Sequence, residues 1–71
     1  MEQDVTVEQA LAIIAEHGGY GAVRVYGVIA DGESAGQVSA IKSRTHLETR
    51  TYSRVYVVSH DKGVMDFIRK L

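Results

Sequence analysis

Seventy-one residues with no spacer rich in proline or serine leave room for one core, so residues 1–71 are expected to form a single domain. An apolar share of 45% is too high for a disordered chain, the absence of cysteine excludes disulfide staples and thiolate metal sites, and no apolar run reaches the ~20 residues of a membrane span. The net charge of −1 conceals a division, with one base against six acids in residues 1–34 and seven bases against three acids in residues 35–71, a polarity that suits an acidic partner or head-to-tail pairing of copies.

The chain opens with Glu2, Asp4, Glu8 and Glu16 instead of a basic signal-peptide start, which together with the missing cysteine gives a cytoplasmic expectation. Thr6 followed by Gln9 matches the capping box, and Val7, Ala10, Leu11 and Ile14 recur at helical spacing, so a helix is expected over residues 7–17 with Gly18 ending it. The run 22–30 is rich in valine and tyrosine and reads as a first strand. Asp31-Gly32 supplies turn chemistry, and a second strand follows over roughly residues 37–44. Thr45 to Leu47 is then expected as a turn, with a third strand over residues 48–59. Val64, Phe67, Ile68 and Leu71 stand at i, i+3, i+4 and i+7, the stripe of a closing helix that Ser59 or Asp61 can cap. The expected class is α+β, in the order αβββα, with a three-stranded antiparallel meander and both helices packed on one face.

Alternation along the strands sorts their side chains into two faces. Val23, Val25, Ile29, Val55 and Val57 share the face that the helices would cover. The other parity collects Arg24, Tyr26, Val28, Arg50, Tyr52, Arg54, Tyr56 and Val58, and in the second strand the parity of Val38 adds Lys42 and Arg44. Tyrosine and arginine each join a large apolar body to a directional polar end, the combination enriched at binding hot spots. Arg24, Tyr26, Lys42, Arg44, Arg50, Tyr52, Arg54 and Tyr56 are therefore the candidate binding residues. Beside that stands a plainer reading, in which arginine stems simply lie over neighbouring aromatics on a solvated sheet.

Other constellations argue against catalysis. Gly18-Gly19-Tyr20-Gly21 follows a helix where a phosphate loop would precede one, so it reads as a helix stop, with Tyr20 free to lie over a ligand. Ser59, His60 and Asp61 have the residue types of a hydrolytic triad but point apart as sequence neighbours, which leaves His60 or Asp61 as single candidate bases. His17, His46 and His60 are scattered without metal spacing, and no cofactor motif is present. The αβββα order is similar to that of double-stranded RNA-binding domains, but the places those domains use for RNA read Asp61-Lys62-Gly63, a first helix with Glu8 and Glu16, and Asp31-Gly32-Glu33, so membership is not inferred. The leading expectation is a non-enzymatic binding, inhibitor or sequestering module, acting as a small homo-oligomer on a protein or a small anionic ligand and suited in size to a phage or mobile element. The alternative is nucleic-acid binding through the basic hairpin 42–56.

Overall fold

The computed structural model describes residues 1–71 and holds three helices and one four-stranded sheet, so the chain is α+β. In chain order the elements are β1 (Glu2–Val5), α1 (Val7–Glu16), β2 (Arg24–Ile29), β3 (Val38–Ile41), α2 (Arg44–Thr49), β4 (Tyr52–Val58) and α3 (Lys62–Lys70). The capping box forms as its residues imply: the Thr6 hydroxyl accepts from the Gln9 amide at 3.1 Å, and the Gln9 side chain accepts from the Thr6 amide at 2.9 Å. His17 caps the other end of α1, and Gly18 and Gly19 follow at φ +96° and +104°, the left-handed region that turns the chain out of the helix. Asp61 starts α3 by accepting from the Gly63 amide at 2.8 Å.

Two elements depart from the expected order. The acidic segment 2–5 is a strand, held along β4 with Glu2 opposite Val58 and Asp4 opposite Tyr56. Its end is pinned where Met1 and Ser59 exchange backbone bonds, Met1 N to Ser59 O at 3.0 Å and Ser59 N to Met1 O at 2.9 Å. The expected turn at Thr45 to Leu47 is helix α2, started by Ser43, whose hydroxyl accepts from the His46 amide. That helix cuts β3 back to Ile41, so Lys42 and Arg44 are not strand residues, and β4 begins at Tyr52 instead of Glu48.

The sheet is antiparallel throughout, but it is not a meander. Its order is β1-β4-β2-β3, so β4 pairs with β2 on the side away from β3 and fills the gap between β1 and β2. An α2 of six residues between β3 and β4 carries the chain back across the sheet, which a tight turn would not do. With a leading strand and a third helix, the likeness to the αβββα order does not hold.

One face of the sheet carries the core. Ala10, Ile13 and Ile14 of α1, Leu47 of α2 and Val64, Met65 and Ile68 of α3 close over Val23, Val25, Ile41, Val55 and Val57. All of these sheet residues have the parity expected of the covered face. Leu71, expected in the last helical stripe, is 50% exposed, and Met65 takes the buried place. No helix lies on the opposite face.

Candidate functional site

The uncovered face is built from the even residues of β1, β2 and β3 and from Arg54, Tyr56 and Val58 of β4. Tyr26 and Tyr56 are direct cross-strand partners and stack with ring centroids 5.6 Å apart and planes 29° from parallel. Arg54 also lies over the Tyr56 ring, its guanidinium carbon 4.3 Å from the centroid. The same guanidinium donates to Asp4 Oδ1 and to Glu2 Oε2, each at 2.7 Å. Those two bonds, Asp4 first, raise the Arg54 pKa above its already high ordinary value. Packed against both Tyr26 and Arg54, Tyr56 is only 9% exposed although no helix covers it. The plainer sequence reading holds for this pair: the arginine stem and the tyrosine seal one another, and the arginine charge is matched within the chain.

Tyr52 does not share this face. Val28 opposes Arg54 while the next residue, Ile29, opposes Tyr52, so Ser53 is an extra residue in β4 that reverses the parity of everything before it. The Tyr52 ring is thereby turned beneath the helices, partly buried against the core, and its hydroxyl donates to the His46 carbonyl at 2.9 Å. The ring lies so close over Gly27 that a Cβ there would fall inside its van der Waals envelope.

The basic hairpin 42–56 likewise separates into parts. Arg44 forms an ion pair with Glu48 along α2. Arg50 donates to the Ser39 hydroxyl at 2.9 Å beside β3. Arg54 belongs to β1 and Tyr56, and Tyr52 to the core side. Three of the expected residues do come together. Arg24, Tyr26 and Lys42 line a recess of about 200 Å³ at the end of the β2–β3 ladder, with Tyr20, Ala40 and Ile41 among its other lining residues. Neither Arg24 nor Lys42 has a carboxylate partner. Lys42 arrives there because Ser43 ends the strand and starts α2, and Tyr20 because the glycines after α1 lead the chain back toward β2.

Alternation placed Arg24, Tyr26 and Lys42 on one side, but the convergence of Tyr20 on them comes from loop geometry and has no signal in residue spacing. At the strand-to-helix junction, the Ser59 hydroxyl accepts from the Asp61 amide at 3.0 Å and Asp61 caps α3. Both residues serve the backbone there, and His60 is exposed between them. No cluster of three or more metal-ligating side chains occurs in the chain, and no helix is long and apolar enough to cross a membrane. No family model, curated protein or solved structure matches the chain.

Proposed function

We propose that this chain is a non-enzymatic binding module that holds a small anionic ligand in the recess between Tyr20, Arg24, Tyr26 and Lys42. One observation carries the reading: two cations with no carboxylate partner line one recess together with Tyr20, Tyr26 and the apolar residues Ala40 and Ile41. Charges left unmatched by their own chain attract an anion, and a ring or other flat apolar part gains area and stacking against tyrosine. The volume of about 200 Å³ is below the ~300–1,000 Å³ of drug-sized sites, so the recess takes a head group or one ring with its charge and leaves the remainder of a larger ligand outside. A module of this kind acts by sequestering what it binds. Ser59 and Asp61, the residues that would accompany His60 in hydrolysis, are engaged as caps, which supports binding over turnover.

The test is a titration of labelled protein followed by NMR. A nucleoside monophosphate serves as a probe with both charge and a flat ring, and inorganic phosphate as a probe of charge alone. The nucleotide is expected to bind more tightly than phosphate and to shift the resonances of Tyr20, Tyr26 and Ala40, while Arg24→Ala combined with Lys42→Ala weakens it tenfold or more. Equal affinity for the two probes, or shifts confined to other residues, would remove the reading.

A further inference from the structure

We propose that the free edge of β3 is a docking site for an extended, acidic segment of a partner protein, which joins the sheet as a fifth strand. The two edges of the sheet are unlike. At the β1 edge, the backbone groups of Glu2 and Asp4 point outward beside their own carboxylates, and like charge along an edge deters a further strand. At the β3 edge the residues are Val38, Ser39, Ala40 and Ile41, with no charge, no proline and no bulge, and Val38 is 58% exposed.

The hydrogen-bond phase of that edge follows from its ladder. Ile29 N donates to Gln37 O, so Gln37, Ser39 and Ile41 face β2, and by alternation the N–H and C=O groups of Val38 and Ala40 point away from the sheet. An added strand would complete them.

Charge decides what kind of strand. Arg50 is held against the Ser39 hydroxyl at 2.9 Å, at the middle of β3, and has no carboxylate partner. Lys42, at the end of the strand, has none either. A cleft of about 510 Å³, lined by Asp31, Val38, Ser39, Thr49, Arg50 and Thr51 among others, opens beside the same edge. It can receive the side chains that an added strand directs toward α2. A second copy of β3 would bring a second Arg50 against the first, so two cations would face one another, whereas an acidic strand satisfies both the backbone and the cations. This site adjoins the anion recess and shares Ala40 and Lys42 with it. What sets it apart is the outward backbone of Val38 and the Arg50 side chain, where the recess uses Tyr20, Arg24 and Tyr26.

Two capped octapeptides are the probes, one alternating valine with glutamate and the other alternating valine with lysine, each titrated into labelled full-length protein. The acidic peptide is expected to shift the Val38 and Ala40 amides and slow their solvent exchange at least tenfold, and the lysine peptide to leave them unchanged. Arg50→Glu should weaken the acidic peptide tenfold or more. Val38→Pro, which removes an outward N–H at the first residue of an edge strand where proline is tolerated, should abolish binding with the circular dichroism spectrum retained. If Val38→Pro disturbs the fold, Arg50→Glu alone decides. Arg24→Ala should weaken the nucleotide in the recess and leave the peptide unaffected, which separates the two sites. Equal binding of the lysine peptide, unchanged affinity in Arg50→Glu, or a doubled mass with Val38 and Ala40 already protected in the free protein would overturn the proposal, the last by assigning the edge to a second copy.

Discussion

Gly27 and Tyr52 depend on each other. The glycine leaves the space that the tyrosine ring fills, and the ring then reaches His46 with its hydroxyl at 2.9 Å. Gly27→Ala forces the ring off that position and is expected to destabilise the fold by about 1–3 kcal/mol, the usual cost of overpacking, as read from urea denaturation. His17 shows the reverse case. Its Nε2 is buried without a hydrogen-bond partner, and its ring stands edge-on to Phe67 with centroids 5.4 Å apart. Replacing an unsatisfied polar ring by an apolar one of similar shape relieves a desolvation cost, so His17→Phe is expected to raise stability by about 1 kcal/mol in the same assay. Arg54 joins two functions, covering Tyr56 and holding Glu2 and Asp4, and both are local. Arg54→Gln should therefore speed the exchange of the Gln3 and Val5 amides, which face β4, while the amides of β2 keep their protection.

Among the elements, α1 is the one most fully readable in advance, because its determinants are local. Thr6 and Gln9 lie three residues apart, and the apolar stripe follows at once. Thr6→Ala should cost about 1 kcal/mol by leaving the first-turn amides unsatisfied, measurable by thermal melting. The closing helix is readable for the same reason, apart from the exchange of Leu71 for Met65 at its buried end. Strand β1 is invisible in sequence, since Glu2, Gln3 and Asp4 are poor strand formers and only pairing with β4 and the grip of Arg54 make them one. Helix α2 carried signals that the expected turn obscured, namely Ser43 as a cap and Arg44 with Glu48 at i, i+4. Of the candidate site, parity placed Arg24, Tyr26, Arg54 and Tyr56 together. It misplaced Tyr52, because an extra residue at Ser53 depends on the register with β2 and leaves no local mark.

For the whole molecule, size sets the terms. At ~0.05–0.15 kcal/mol per residue, a domain of this length has a stability of about 4–11 kcal/mol. Ile13 is 0% exposed at the centre of the core, and truncation of such a side chain costs about 2–5 kcal/mol. Ile13→Ala is thus expected to remove a large part of the total and to lower the urea midpoint more than any surface change. The open sheet face is less sticky than an alternation of tyrosine and valine implies. Tyr56 is sealed by its neighbours and Tyr52 is turned away, so sheet-to-sheet association of copies has a smaller apolar area to work with than three exposed rings would offer.

The placement of β4 has a temporal consequence. Residues 2–5 and 24–29 leave the ribosome well before residues 52–58, so the slot between them stays vacant until β4 is made. Until then residues 2–5 have no partner to make them a strand, one border of β2 is open, and the hydrophobic side of α1 has only part of its floor. Folding therefore waits for β4, and a nascent product halted at Arg50 should show no cooperative melting at all.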